Sequence, residues 1–121
     1  MGQIYCEKWS EKVDAAHSLY VFSDRVEPGM VLHVMNCFAH APEREALDRV
    51  HLGVQNGGTK VLIRARKWNI AGEGVSAFND FFVGEGDQVY AYFPDADNTN
   101  TIELHVIGVI MTLDEWRQMS R

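Results

Sequence analysis

The chain has 121 residues, of which 46% are hydrophobic and 23% are charged, a composition typical of one globular domain and not of a disordered chain. Its net charge of −6 argues against general nucleic-acid binding, because affinity for phosphate comes chiefly from Lys and Arg. The chain contains no run of about 18 apolar residues and no apolar signal core at its N-terminus, so we expect neither a membrane span nor secretion.

Eight segments have the composition of β-strands, because they are rich in β-branched and aromatic residues or alternate apolar with polar side chains. In chain order they are Ile4–Trp9, His17–Val26, Met30–Ala39, Val50–Val54, Lys60–Ala65, Val75–Val83, Asp87–Phe93 and Thr101–Met111. Short turns rich in Gly, Pro or Asn separate nearly all of them, whereas parallel βαβ units need a helix between strands. The sequence predicts an all-β, jelly-roll-like antiparallel β-sandwich, one domain over residues 1–121.

The two ends of the chain differ from the strands between them. Residues 1–12 form an N-terminal arm or edge strand that contains Trp9. Residues 112–121 form a short C-terminal helix, since Thr112 and Glu115 have the spacing of a capping box. Leu113 and Trp116 then share one face of that helix. Each end either packs back onto the sandwich or offers its tryptophan to a partner, because Trp is typical of interface hot spots.

Strand alternation assigns one set of apolar side chains to a common core. They are Leu19, Val21, Leu32, Val34, Leu52, Val54, Ile63, Phe81, Val89, Leu104, Val106 and Ile110. Cys6 and Cys37 lie 31 positions apart without the spacing of a metal site. They could form a disulfide, but a protein made in a reducing cytosol favours two thiols.

The histidines show no pattern that requires a metal or a reaction. His33 and His40 are seven positions apart, which places them on opposite faces of an ideal strand. Glu103 and His105 share a face and could be ligands, although an outward polar stripe explains them equally well. We find no nucleophile next to a base and no catalytic motif. The sequence therefore predicts no enzyme, no cofactor, no metal and no catalytic residue.

A local basic stripe is the remaining surface feature. Arg64, Arg66 and Trp68 fall on one face of a predicted strand in an otherwise acidic chain. Such charges usually mark a solvated face, but they also suit an acidic protein partner or, less well at this net charge, a nucleic acid. With Trp9, Leu113 and Trp116, these three residues are the candidate partner-binding set.

Several motifs, taken in order, resemble the small jelly-roll cement or decoration proteins of tailed-bacteriophage heads. They are VEPGM leading into VLHVMNCFAHA, then VHLGVQNGG, then FVGEGDQVYAYF and NTIELHVIGVI. In that family a Gly-Asp-x-Val step enters the penultimate strand and a Val-x-Gly strand closes the sandwich. The resemblance covers residues 18–111 as a pattern of strands, and it implies no catalytic residue.

The resemblance implies a non-enzymatic virion protein on the capsid exterior, assembled in the bacterial cytoplasm. Its partners would be the major capsid protein and further copies of itself, without nucleic acid or membrane. A second hypothesis is a carbohydrate-binding jelly roll that uses Trp9, Trp68 or Tyr92 for stacking. A third is a cupin-like metalloenzyme that uses His33, His51 or His105.

Overall fold

The computed structural model describes residues 2–12, 20–41, 47–68, 75–77, 80–94 and 101–119, and for 47–49, 63–68 and 75–77 it describes the backbone only. Over these residues the chain forms nine β-strands and one short α-helix. They are β1 (Gln3–Lys12), β2 (Tyr20–Phe22), β3 (Met30–His40), β4 (Leu47–Asn56), β5 (Thr59–Trp68), β6 (Val75–Ala77), β7 (Phe81–Val83), β8 (Gln88–Tyr92), β9 (Thr101–Thr112) and α1 (Leu113–Met119).

The strands form two antiparallel sheets that enclose one core. The order in the first sheet is β1-β9-β3-β6, with β7 also paired to β3, and the order in the second sheet is β2-β8-β4-β5. The first and last strands of the chain are therefore neighbours, and the chain passes repeatedly from one sheet to the other. This interleaved order is that of a jelly roll, so the predicted fold class is confirmed.

One predicted strand is divided in the structure. The prediction of a continuous strand over Val75–Val83 is wrong, because β6 pairs with Cys37–Ala39 and β7 pairs with Leu32–Val34. The two pieces together occupy one edge position beside β3. The eight predicted strand positions thus become nine strands within the described ranges.

A β-bulge in β3 lies between these two pairings. Val34 pairs with Gly108 of β9, and the next paired residue, Asn36, faces Ile107. Met35 is the extra residue on the bulged strand. An extra residue reverses the alternation of side chains beyond it.

The reversal changes which residues of β3 share a face. Val34 and Cys37 are both buried in the core although they are three positions apart. His33 and His40 consequently both point to the opposite side, the outer face of the first sheet. Their predicted placement on opposite faces is wrong, because the alternation rule assumes a strand without a bulge.

The core between the sheets matches most of the predicted set. The predicted residues that the structure buries are Val21, Leu32, Val34, Leu52, Val89, Leu104 and Val106. Val54, Phe81 and Ile110 are partly buried and pack against that cluster. Leu19 and the side chain of Ile63 lie outside the described residues.

The N-terminal segment is an edge strand of the first sheet. Every residue from Gln3 to Lys12 pairs with β9, and Tyr5 and Trp9 pack against the core. No disulfide joins Cys6 to Cys37, since Cys6 is exposed on this edge strand and Cys37 is buried in the core.

The C-terminal helix begins with the predicted capping box. Glu115 N donates to Thr112 Oγ1 at 3.1 Å, and Thr112 N donates to Glu115 Oε1 at 3.1 Å. The backbone N of Leu113 donates to Gly29 O at 2.9 Å, which fixes the start of the helix beside the turn before β3. At seven residues α1 is short, and no helix in the described ranges is long and apolar enough to cross a membrane.

Candidate functional site

The outer face of the first sheet combines polar and apolar side chains in an ordered way. Strand register places them in rows across β1, β9 and β3. The rows are Ser10 with Glu103 and His40, Lys8 with His105 and Phe38, Cys6 with Ile107 and Asn36, and Ile4 with Val109, His33 and Phe82 of β7. The face is therefore polar and titratable at one end and apolar at the end beside α1.

An apolar patch, defined as Ile4, Met35, Phe82 and Ile107, occupies the second half of this face. Ile4 is 87% exposed, Met35 is 48% exposed, and Phe82 and Ile107 are each 45% exposed. Apolar side chains at neighbouring positions of one face mark interaction sites when they are left in water. The apolar patch is therefore a candidate docking surface.

Helix α1 borders the apolar patch. The Trp116 ring meets the Phe82 ring edge to face, with centroids 6.3 Å apart and an interplanar angle of 68°. Met119, at the end of the helix, is 54% exposed. A groove of about 490 Å³ between α1 and the sheet is lined by residues that include His33 and Val109. The helix covers one end of the face and adds apolar surface to the rest.

A His–Glu cluster, defined as His40, Glu103 and His105, forms the polar end of the face. His40 Nε2 lies 2.7 Å from Glu103 Oε1, and His105 Nε2 lies 3.5 Å from the same oxygen. One ligand atom from each residue lies within 4.8 Å of the other two. All three side chains are partly buried, so the cluster is shielded from water without being enclosed.

The second oxygen of Glu103 has partners on β1. Ser10 Oγ donates to Glu103 Oε2 at 3.3 Å, and Lys8 Nζ lies 3.9 Å from it. Partial burial acts to raise the pKa of Glu103, but the hydrogen bond with His40 and the attraction of His40 and Lys8 outweigh it, and the pKa lies below its ordinary value. Glu103 is therefore held as a carboxylate.

The outer face of the second sheet carries an aromatic cluster, defined as Tyr20, Phe22, Tyr90 and Tyr92. The rings of Tyr20 and Tyr92 stack with centroids 4.3 Å apart, and those of Tyr20 and Phe22 stack at 5.6 Å. Tyr90 is only 4% exposed. Lys60 Nζ lies 4.9 Å from the centre of the Tyr20 ring. Tyr20, Phe22 and Tyr92 are partly exposed, and their rings also contact one another.

A cleft of about 300 Å³ opens at one end of the sandwich, with Tyr5, Asp24, Arg25 and Met30 in its wall. Burial, followed by the negative charges of Asp24 and Glu7, raises the pKa of Tyr5 to about 12. The phenol stays neutral at physiological pH. Tyr5 therefore contributes a neutral phenol to the wall of the cleft.

The predicted partner-binding residues do not form one surface. Trp9 packs against the core, whereas Leu113 and Trp116 lie on α1 beside the apolar patch. In the register of β4 and β5, Arg64 pairs with Leu52 and Arg66 pairs with Val50. Trp68 ends the same strand opposite Leu47. The side chains of Arg64, Arg66 and Trp68 lie outside the described residues.

The residues of the two alternative hypotheses are also dispersed. His33 lies 3.3 Å from Asp80, His51 lies on the second sheet against Tyr92, and His105 belongs to the His–Glu cluster. Trp9 and Tyr92 lie in different sheets. His33, His51 and His105, each named as an alternative, therefore lie at separate places, and so do Trp9 and Tyr92.

Sequence reasoning missed His40 as a neighbour of Glu103 and His105. The alternation along β9 correctly placed Glu103 and His105 on one face, but His40 reaches them only because β3 pairs with β9 across 63 positions of sequence. Phe38 and His40 are two positions apart, which indicates that they share one face of β3. No local pattern indicates that β9 is the strand paired with them.

The chain matches no protein family and no curated protein. Among solved structures it is similar to a protein of Bacillus endospore appendages, which form disulfide-linked pili, with 16% identity, a TM-score of 0.47, and coverage of 93% of this chain and 88% of that chain. It is similar to the Drosophila NLP core, described for pentamer formation and histone binding, with 16% identity, a TM-score of 0.43, and coverage of 93% and 100%.

A pentameric capsid protein from metagenomic phage sequences is also similar, with 15% identity, a TM-score of 0.31, and coverage of 84% of this chain and 64% of that chain. These three proteins differ widely in what they build. At such identities and scores the likenesses assign neither a family nor a function, so the functional argument depends on the chain's own surfaces.

Proposed function

We propose that the chain is a non-enzymatic structural protein of a virus particle, a decoration or cement protein on the exterior of a tailed-bacteriophage head. In this role it bridges neighbouring major capsid subunits, pairs with copies of itself, and assembles in the cytoplasm of the bacterial host. The observation that carries the proposal is the apolar patch on the outer face of the first sheet. The resemblance of residues 18–111 to phage cement proteins supplies the class of partner.

The patch has the layout of an interface. Its apolar side chains adjoin polar ones at one end, Lys8 and the His–Glu cluster among them, and polar groups at the margin of an apolar area are common in protein–protein contacts. Three hydrogen-bonded strands and β7 hold these side chains in place. A surface that is already ordered loses little conformational entropy on binding. Leu113 and Trp116 of α1 extend this surface at one end.

The edge of the first sheet supports pairing between copies. Among the described strands β1 pairs only with β9, so within the described residues its other side has no strand partner from Gln3 to Lys12. An exposed edge of this kind accepts a strand from another chain. Two copies could therefore join edge to edge while the apolar patch of each contacts the capsid.

The proposal is tested by binding to empty shells of the major capsid protein encoded in the same genome. We expect the chain to co-sediment with the shells at a fixed ratio and to raise the temperature at which they break down. Ile107→Asp places a charge in the patch and should lower the affinity at least tenfold. Val61→Asp is the matched control, since Val61 is 50% exposed but lies on the second sheet.

Two results would contradict this function. One is failure of the parent chain to bind the shells at any concentration tested. The other is equal loss of binding in the Ile107→Asp and Val61→Asp variants, which would mean that the patch is not the contact. Circular dichroism of each variant establishes that it retains the β-sheet spectrum of the parent.

The aromatic cluster of the second sheet favours a second candidate function, the binding of a carbohydrate. Sugar rings stack on aromatic faces, and Tyr20, Tyr92 and Phe22 lie side by side on one sheet. A glycan array would then show binding that Tyr92→Ala removes and Ile107→Asp leaves unchanged. Shell binding that Ile107→Asp removes and Tyr92→Ala leaves unchanged supports the capsid function.

A further inference from the structure

The geometry of the His–Glu cluster points to a metal site. We propose that His40 Nε2, His105 Nε2 and Glu103 Oε1 bind one divalent transition-metal ion of the Zn²⁺ class on the outer face of the first sheet. This inference does not depend on the capsid function. It replaces the sequence-based expectation that the chain holds no metal.

The donor set has the chemistry that zinc prefers. Imidazole nitrogen and carboxylate oxygen are its common ligands beside thiolate, whereas Ca²⁺ and Mg²⁺ take mainly oxygen ligands. Two histidines and one glutamate make a three-ligand set, which leaves a fourth position of a tetrahedron for water. Ligation uses neutral imidazole through Nε2, so the ring proton is on Nδ1.

The distances between the donor atoms suit one ion. In a tetrahedral site with bonds of about 2.0–2.1 Å, neighbouring ligand atoms are about 3.3 Å apart. Glu103 Oε1 lies 2.7 Å from His40 Nε2 and 3.5 Å from His105 Nε2. All three atoms fall within 4.8 Å of one another. The distance between His40 Nε2 and His105 Nε2 therefore needs to shorten by about 1.5 Å at most to reach the tetrahedral value. Side-chain rotation supplies that without moving the strands.

The strands hold the three side chains in this position. His40 pairs directly with Glu103 in the register of β3 and β9, and His105 lies two residues further along β9 on the same face. The bulge at Met35 is what turns His40 toward this face. The ligands therefore come from two long, hydrogen-bonded strands and not from loops.

Contacts from β1 orient the carboxylate. Ser10 Oγ and Lys8 Nζ both lie against Glu103 Oε2, which leaves Oε1 toward the two imidazoles. Partners of this kind fix a ligand's orientation and are part of most metal sites. The hydroxyl of Ser10 and the ammonium of Lys8 act as positioning groups.

Two buried polar atoms of the cluster are poorly satisfied in the structure. Among the described residues His105 Nε2 has only the long 3.5 Å contact with Glu103 Oε1, and His40 Nδ1 has no hydrogen-bond partner. Buried polar atoms are rarely left in this condition. Ligation of a metal by His105 Nε2 satisfies one of them directly.

The cluster lies outside the two cavities described above, and we assign no reaction to the bound ion. The cleft beside Tyr5 and the groove beneath α1 are lined by other residues. The cluster lies on an open face, where a substrate would not be enclosed. A bound ion would fix the end of the first sheet next to Phe38, whose ring lies 4.9 Å from that of His40 and 5.6 Å from that of His105.

The test uses the full chain without a histidine tag, stripped with EDTA and dialysed. Isothermal titration with ZnCl₂ should show one ion per chain and a rise in melting temperature. His40→Gln and His105→Gln should each weaken Zn²⁺ binding at least tenfold. A Co²⁺ titration should give the visible absorption of a four-coordinate site in the parent and lose it in both variants.

Two controls identify the ligands. His33→Gln removes a histidine of the same face that lies against Asp80, and Cys6→Ser removes the exposed thiol of β1. Both should bind Zn²⁺ as the parent does. Absence of stoichiometric Zn²⁺ and Co²⁺ binding in the parent overturns the proposal, and so does unchanged binding in both His40→Gln and His105→Gln. Circular dichroism shows that each variant is folded before titration.

Discussion

The outer faces of the two sheets use their apolar side chains in opposite ways. On the second sheet the rings of Tyr20, Phe22 and Tyr92 stack on one another, and Tyr90 lies beneath them almost without exposure. On the first sheet Ile4 and Ile107 stand in solvent. The aromatic rings of the second sheet contact one another, and the exposed apolar residues of that sheet are Val61 and Leu62 of β5 among the described side chains.

The comparison teaches that residue type alone does not identify a binding face. Aromatic residues are enriched at interfaces, and the sequence pointed to Tyr92 as a stacking group for a sugar. Its ring is already stacked on Tyr20. No sequence pattern distinguishes Ile107 as an exposed residue, because single exposed apolar residues are common.

The largest expected effect concerns the core that both faces share. Leu104 is fully buried between the sheets, so Leu104→Ala removes apolar contacts and leaves a cavity. We expect the free energy of unfolding to fall by about 2–5 kcal/mol. Urea unfolding followed by circular dichroism measures it. A change as small as that of an exposed site would mean that Leu104 is not in the common core.

The next largest effect is expected from a substitution that disturbs the aromatic cluster of the second sheet. A Cβ at Gly53 would clash with the backbone oxygen of Val61 and lie 2.6 Å from the Tyr90 ring, so Gly53→Ala displaces the adjoining part of β5 and the Tyr90 ring. We expect a loss of about 1–3 kcal/mol and a change in the near-ultraviolet circular dichroism of the tyrosines. The matched control is Gly58→Ala, where a Cβ has open space around it.

If Gly53→Ala were as stable as Gly58→Ala, with an unchanged near-ultraviolet spectrum, the aromatic cluster would not depend on the close approach of Tyr90 to β4. The contrast between the two faces would then lose its structural basis. The same substitution should leave Zn²⁺ binding unchanged, because the His–Glu cluster lies on the other sheet.

A smaller effect is expected where α1 borders the apolar patch. Trp116→Ala removes the edge-to-face contact with Phe82, and aromatic pairs of this kind contribute about 0.5–1.5 kcal/mol beyond the area they bury. We expect a loss of about 1 kcal/mol in urea unfolding. Trp116→Phe keeps a ring at this place and should recover most of it. Equal losses in both variants would show that the ring contact is not the cause.

The architecture could be predicted from the sequence because it follows from local patterns. Alternating apolar residues, turns such as Pro28-Gly29, and the Thr112–Glu115 capping box each act over a few residues. Most of the strand positions, most of the core and the start of α1 are confirmed on that basis.

The candidate site could not be predicted in the same way, because it depends on pairing between distant strands. The bulge at Met35 shifts the faces of β3, and no periodicity marks it in advance. The convergence of His40 on Glu103 requires knowing that β3 and β9 are neighbours. These two strands are adjacent in the jelly-roll order, so the strand order must be known before the site can be predicted.

The smallest expected effect appears only at alkaline pH. It concerns one tyrosine of each sheet, Tyr5 of the first sheet and Tyr90 of the second. Burial raises the pKa of both Tyr5 and Tyr90 above 10.0, with the carboxylates of Asp24 and Glu7 adding to it for Tyr5 and Tyr20 adding to it for Tyr90. A raised pKa means that the folded chain favours the neutral phenol. The stability that this supplies is present below pH 10 and is lost as the pH rises through the folded pKa.

Titration of tyrosine absorbance at 295 nm tests this, with Tyr5→Phe and Tyr90→Phe used to obtain each group by difference. The Tyr5 curve should have its midpoint near pH 12 in low salt. It should move toward lower pH in high salt, because salt screens the repulsion from the two carboxylates. Two carboxylates act on Tyr5, whereas burial is the larger cause for Tyr90 and the charge of Tyr20 is the smaller, so the Tyr90 curve should shift less. Equal salt shifts for both tyrosines would show that the carboxylates do not distinguish the first sheet from the second.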